Sequence, residues 1–198
     1  RQRQMCIRDS SVQKTQGICV RQRQDLYLYE GNSLMSIAIC PGSFDPITLG
    51  HLNIIRRTAK IFDQVVVCIM NNAMKPSPMF SVEEKEDMVR RVVARFPNVS
   101  VESSSGLLAE YANRYEGAVL VKGLRAASDF EYEFQMNLIN KKINPGLETM
   151  FLTASEKYTF LSSSVVREMA MYGADLTGLV PEEIIADIER KAKLWRAK

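Results

Sequence analysis

From residue 35 onward, apolar positions alternate between two patterns. Short apolar runs bounded by polar or turn residues fall at 37–40, 64–70, 99–102, 118–121 and 148–153 and predict five strands. The run at 64–70, QVVVCIM, is unbroken, as expected of a parallel strand covered on both faces. Between the strands the spacing becomes helical. Leu52, Ile55, Ala59 and Phe62 share one face of a helix over 49–62, and Met88, Val89, Val92 and Val93 one face of a helix ending near 95. A third amphipathic segment carries Leu107, Leu108, Tyr111, Ala112 and Tyr115.

Local signals bound several of these helices. Ser81-Val82-Glu83-Glu84 reads as a capping box, and Ser128-Asp129-Phe130-Glu131 as a second one, opening a helix to about residue 142 that Pro145-Gly146 ends. A helix over 162–172 stops at Gly173, and Pro181 suits the first position of a last helix through Ile184, Ile185 and Ile188. The expectation is a Rossmann-like α/β fold, a doubly wound five-stranded parallel sheet with helices on both faces. The ten methionines and the Phe130/Phe134 pair are assigned to the core.

Residues 1–34 break the pattern. They lack apolar periodicity, repeat Arg-Gln-Arg-Gln at 1–4 and 21–24, and are followed by Met35. We read 1–34 as a disordered or non-native leader, with a natural basic extension as the alternative, and 35–198 as one domain. The leader also explains the net charge of +3, because 35–198 carries 20 basic and 20 acidic side chains. Its neutrality removes the electrostatic case for a nucleic-acid partner. No apolar run approaches a membrane span. Cys6, Cys19, Cys40 and Cys68 form no CxxC pair and are expected as free thiols in a reducing cytoplasm.

Ligands of open parallel sheets bind at the strands' carboxyl ends, which points to the loops 42–51, 71–80, 122–129 and 155–167. The first of these has no GxGxxG, so a dinucleotide fingerprint is not supported. It offers Pro41-Gly42-Ser43-Phe44-Asp45-Pro46 and then Thr48-Leu49-Gly50-His51 at a helix start, a place where backbone N–H groups and the helix dipole favour an anion. His51, the only histidine, can donate to a phosphate oxygen; a surface histidine beside a turn is the competing reading. Lys122 and Arg125 read equally as solvent charges at a strand end. Glu131 and Glu133 can serve the helix dipole, and Ser162-Ser163-Ser164 is either an N-cap or, with Arg167, a second anion site.

Together with Val121-Lys122-Gly123-Leu124-Arg125, Asp129-Phe130-Glu131-Tyr132-Glu133 and Phe160-Leu161-Ser162-Ser163-Ser164, the stretch PGSFDPITLGH resembles the phosphopantetheine adenylyltransferase family of the nucleotidyltransferases with an (H/T)xGH motif. The resemblance runs from Met35 to the C-terminus. It implies a catalytic set of His51 as transition-state stabiliser with Ser43, Lys75 and Arg125. It implies an ATP site from Ser43, Phe44, His51, Gly123, Leu124, Arg125, Glu133, Tyr158, Thr159, Phe160, Leu161, Ser162, Ser163 and Ser164. Ser43, Lys75, Leu108 and Lys122 would bind the second substrate. Lys122 stands where the family has Arg, keeping the charge without the bidentate fork. The Lys75-Pro76-Ser77-Pro78 loop is one residue longer than the family pattern.

The implied reaction is ATP + 4′-phosphopantetheine → dephospho-coenzyme A + pyrophosphate, by direct attack and with no covalent enzyme intermediate. Mg²⁺ would arrive with ATP rather than at a metal site of the protein. The resemblance further implies a cytoplasmic homohexamer open to feedback by coenzyme A. The alternatives are a related adenylyl- or cytidylyltransferase acting on another phosphate, and a catalytically silent nucleotide-binding regulator.

Overall fold

The computed structural model describes residues 35–71 and 78–196. Residues 1–34, with Cys6 and Cys19, and the loop position Lys75 lie outside the described residues. The strands are β1 (Ile37–Gly42), β2 (Gln64–Met70), β3 (Val99–Ser104), β4 (Val119–Leu124) and β5 (Glu148–Thr153). The helices are α1 (Leu49–Thr58), α2 (Val82–Val93), α3 (Leu108–Ala112), α4 (Ala127–Ile143), α5 (Ser163–Met171) and α6 (Ile185–Arg196), with 3₁₀ turns at Glu156–Tyr158 and Glu182–Ile184.

All five strands are parallel, in the order β3-β2-β1-β4-β5. The expected α/β doubly wound sheet is therefore what the chain forms. Two apolar layers hold it. Ala38, Val65, Val67, Ile69 and Val121 pack on one face with Ile55 of α1, Val89 of α2, Val166 of α5 and Ile188 of α6. Ile39, Val66, Cys68 and Leu120 pack on the other with Ala109, Tyr111 and Ala112 of α3. Cys40 and Cys68 are free and buried, and burial raises their thiols to about 12 and about 11. No helix among the described residues is long and apolar enough to cross a membrane.

Three strands run beyond their apolar patterns. Pro41 and Gly42 stay in register with Cys68 and Ile69, and Ser103 and Ser104 with Ile69 and Met70. Lys122, Gly123 and Leu124 stay in register with Phe151, Leu152 and Thr153. Ladder pairing uses the backbone, so it does not end where apolar side chains do.

Two readings need correction. Ser128 does not cap α4: the cap is Ala126, without a side-chain bond, and Ser128 lies inside the first turn. The acid there is Asp129, whose carboxylate accepts the Arg125 N–H at 3.1 Å and so serves the backbone just before the helix. Phe130 and Phe134 are not core, and neither are Met35 and Met150, which are 62% and 36% exposed. The two phenylalanine rings stack on each other, with centroids 5.7 Å apart, Phe130 also meets the Phe151 ring of β5 edge-on at 5.8 Å, and the two remain 44% and 45% exposed.

Candidate active site

The strand order reverses between β1 and β4, and there the sheet opens. β1 pairs with β2 over six residues but with β4 only at Ala38↔Val119 and Ile39↔Leu120. The pairing stops before Pro41, a residue with no N–H to offer a ladder. Beyond it the strands' carboxyl ends diverge around a cleft of about 640 Å³. Such a switch point is the general ligand position in open α/β sheets.

The turn out of β1 forms one wall. Phe44 has a φ of 42°, which folds its ring back over Gly42; a Cβ on Gly42 would sit 2.8 Å from that ring. Thr48 then caps α1 reciprocally with His51. The Thr48 N–H donates to His51 Nδ1 at 3.1 Å, and the Thr48 hydroxyl accepts the His51 N–H at 3.3 Å. A backbone N–H can only donate, so Nδ1 is an acceptor and the neutral ring carries its proton on Nε2. The ring stands edge-on to Phe44 at 5.2 Å. Burial, aided by the Arg125 charge, pushes its pKa down to about 4, so the imidazole is neutral at pH 7.

The opposite wall comes from β4 and the first turns of α4. Gly123 lets β4 lie against α1; a Cβ there would meet Ile54 at 2.8 Å. Lys122 forms an ion pair with Glu133, and both side chains are partly buried. Arg125 donates from Nε and Nη2 to the Asp129 carboxylate at 3.0 and 3.2 Å, and from Nη1 to the Leu161 carbonyl at 3.2 Å. Both cations of this wall are thus held by acids four or eleven residues on, and Arg125 also ties α4 to the loop before α5.

That loop is fixed from below. Ser155 donates to Asn53 of α1 at 3.0 Å, and Arg57 of α1 donates to the Thr153 carbonyl at 2.6 Å. Ser162 caps α5 by accepting the Val165 N–H at 3.2 Å, and Ser163 donates to the Pro46 carbonyl at 2.8 Å. Arg167 of α5 donates to the Asp45 carbonyl at 2.5 Å and to its carboxylate at 3.3 Å. The buried Asp45 carboxylate also accepts the N–H groups of Met79 and Phe80, at 3.1 and 3.0 Å. One acid therefore joins the first turn, the far end of the 71–80 loop, and α5.

Most of the residues expected at the site meet in this cleft. Ser43, Phe44 and His51 line it from the first turn, and Lys122, Gly123, Arg125 and Glu133 from the facing wall. Leu108 stands at the start of α3, and Tyr158, Leu161, Ser162, Ser163 and Ser164 form the third side. Leu124, Thr159 and Phe160 are not among the lining residues. Leu124 gives its carbonyl to the Ala154 N–H, Thr159 donates its hydroxyl to the Glu156 carbonyl, and Phe160 is 62% exposed. Asp129, Tyr132 and Met136 line the cleft without having been assigned to it from sequence; their i, i+3, i+4 spacing with Glu133 on α4 was the available signal. Among the described residues no three His, Cys, Asp or Glu side chains cluster as a metal cage.

The family model described as cytidylyltransferase-like matches residues 39–169. The phosphopantetheine adenylyltransferase of Clostridium tetani (strain Massachusetts / E88) is 53% identical over 158 residues, covering 80% of this chain and 98% of that protein. That of Clostridium kluyveri is 54% identical over 157 residues, covering 79% of this chain and 95% of its own. The chain belongs to the phosphopantetheine adenylyltransferase family. The family's cytidylyltransferase-like region thus holds β1 from Ile39 onward, β2 to β5 and the cleft's three sides. The fold is shared more widely: a Vibrio parahaemolyticus structure described as a candidate nicotinate-nucleotide adenylyltransferase superposes with a TM-score of 0.61 over 83% of this chain and 98% of its own, at 19% identity.

Proposed function

We propose that this member of the phosphopantetheine adenylyltransferase family transfers the adenylyl group of ATP to 4′-phosphopantetheine, giving dephospho-coenzyme A and pyrophosphate. The observation that carries the proposal is a neutral imidazole, protonated on Nε2, facing Lys122 and Arg125 across one cleft. The substrate assignment follows the relatives' names, at identities of 53% and 54% over nearly their whole lengths.

A phosphate oxygen of phosphopantetheine attacks the α-phosphorus of ATP. The new O–P bond forms as the bond to the pyrophosphate oxygen breaks, and the electron pair leaves with pyrophosphate. The attacking phosphate is already anionic at pH 7, so no general base is needed. Catalysis then consists of holding two polyanions in line and meeting the charge that builds at the α-phosphorus. Positioning supplies about 7–11 kcal/mol in favourable cases, and one preorganised donor about 2.7–4 kcal/mol. His51 Nε2–H is such a donor, with Arg125 beside it. Lys122 receives the phosphate of the second substrate, and Ser43 contacts both. Lys75 is assigned to the same anionic centre by resemblance alone.

Mg²⁺ enters this reading with the phosphates of ATP, which supply the oxygen ligands this ion prefers. Asp129 and Glu133, the acids lining the cleft among the described residues, are each engaged with a cation and form no cage for it, and no step is assigned to it. We further propose a cytoplasmic homohexamer inhibited by coenzyme A, which shares the product's pantetheine arm. Supporting an assembly, α4 leaves Phe130, Phe134, Leu138, Ile139 and Ile143 exposed.

The test is pyrophosphate release by the full chain with ATP, Mg²⁺ and 4′-phosphopantetheine, beside a panel of nicotinamide mononucleotide, nicotinate mononucleotide and alcohol phosphates with CTP. Turnover confined to phosphopantetheine is expected. Preference for another phosphate overturns the substrate assignment, and binding of ATP without any turnover overturns the enzyme reading.

A further inference from the structure

Arg125 is bound more completely than a cleft cation needs to be if it is only a charge. The carboxylate of Asp129 takes its Nε at 3.0 Å, its Nη2 at 3.2 Å and its backbone N–H at 3.1 Å, while Nη1 is held by the Leu161 carbonyl at 3.2 Å. The guanidinium is thus gripped along one edge by a fork and at one tip by the third side of the cleft. Among the described residues, one N–H on each terminal nitrogen remains to point elsewhere. Asp129 itself lines the cleft and sits in the first turn of α4, where the helix dipole favours a carboxylate. Burial opposes its ionisation, but the Arg125 donors outweigh this and hold its pKa below the ordinary carboxylate value.

We propose that Asp129 is a positioning residue of the adenylyl-transfer site, fixing Arg125 so that its two free N–H groups face the phosphates of bound ATP. The inference rests on the function proposed above. It assigns no contact between Asp129 and substrate: the acid acts through Arg125, much as the acid of a bidentate pair sets the plane of its guanidinium.

The experiment is a double-mutant cycle on the full chain with Asp129→Asn, Arg125→Ala and the pair, read by kcat, by the KM of each substrate, by ATP affinity from calorimetry and by melting temperature. Asp129→Asn keeps the shape and one acceptor oxygen, so α4 retains its start. It is expected to lower kcat roughly tenfold with the KM for phosphopantetheine within about twofold, and to cost nothing further once Arg125 is Ala. Asp129→Glu, which keeps the charge, should recover part of the loss. Equal loss with and without Arg125, or wild-type kcat in Asp129→Asn, overturns the proposal. A lowered melting temperature with kcat unchanged per folded molecule also overturns it, since that is the signature of a helix cap alone. If the wild-type chain binds ATP but does not transfer adenylyl groups, the function proposed above fails separately. The ATP affinities of the same cycle then decide on Asp129, by whether Asp129→Asn weakens binding only when Arg125 is present.

Discussion

Thr48 and His51 each cap the other across the first turn of α1, with the Thr48 N–H on Nδ1 at 3.1 Å and the His51 N–H on the Thr48 hydroxyl at 3.3 Å. The same bond that completes a helix start decides which ring nitrogen carries the proton. His51→Ala is therefore expected to lower kcat by on the order of 10²–10³ and to leave ATP affinity nearly intact. Loss of the cap also costs about 1 kcal/mol of stability, so kcat is compared at a temperature where both proteins are folded. Wild-type turnover in the variant removes His51 from the mechanism.

With a single histidine in the chain, one ring resonance reports the titration of His51. Burial and Arg125 lower its pKa from 6.5 to about 4 in the folded protein. Between these values the unfolded chain binds the extra proton and the folded one does not, so stability falls as pH falls from about 6.5 towards 4. A ring signal constant from pH 8 to 5.5 is expected, with a loss of stability over the acidic range that His51→Ala flattens. A ring midpoint at 6.5 or above refutes the neutral imidazole.

Lys122 meets Glu133 before it meets any substrate. Lys122→Ala should raise the KM for 4′-phosphopantetheine about tenfold or more and affect the KM for ATP less, because hydrogen bonds to charged groups are worth about 1.5–3 kcal/mol. Steady-state kinetics with each substrate varied in turn checks this. An unchanged KM for phosphopantetheine moves Lys122 out of that subsite.

Asp45 is buried and holds two backbone N–H groups besides Arg167. Asp45→Ala leaves both of those donors without a partner and is expected to destabilise the fold by about 2–4 kcal/mol, read as a lower midpoint in urea. Arg167→Ala, whose partner keeps its two N–H donors, should cost less. Equal stability of wild type and Asp45→Ala refutes the role of this acid as the junction of three segments.

The exposed apolar side chains of α4 give a prediction on assembly. Phe134→Glu, Leu138→Lys and their combination should yield smaller species than wild type in sedimentation velocity, with the far-UV circular dichroism unchanged. If the wild-type chain sediments as a monomer, the proposed hexamer is wrong.

What could be read in advance follows from how far apart the deciding groups lie. The β2 limits and the Ser81–Glu84 capping box are local, and the structure has both. Ser128 has the same spacing of residue types as Ser81, yet the start of α4 is occupied by the Arg125–Asp129 pair, a competition that spacing alone does not display. Phe130 and Phe134 recur at helical spacing, which says that they share a face but not that anything covers it. Asp45 and Arg167 are 122 residues apart, and nothing local announces their meeting. The lining of the cleft was legible through four ordered blocks of sequence; the acids that hold its cations were visible as residues but not as partners.

Two rungs, Ala38↔Val119 and Ile39↔Leu120, join the half of the sheet that carries Ser43 and His51 to the half that carries Lys122 and Arg125. The spacing between the two sets of donors is thus calibrated at a short seam whose four residues do not line the cleft. A change of side-chain volume at any of these four apolar positions reaches the chemistry as a change of aperture, with every residue of the cleft left as it was.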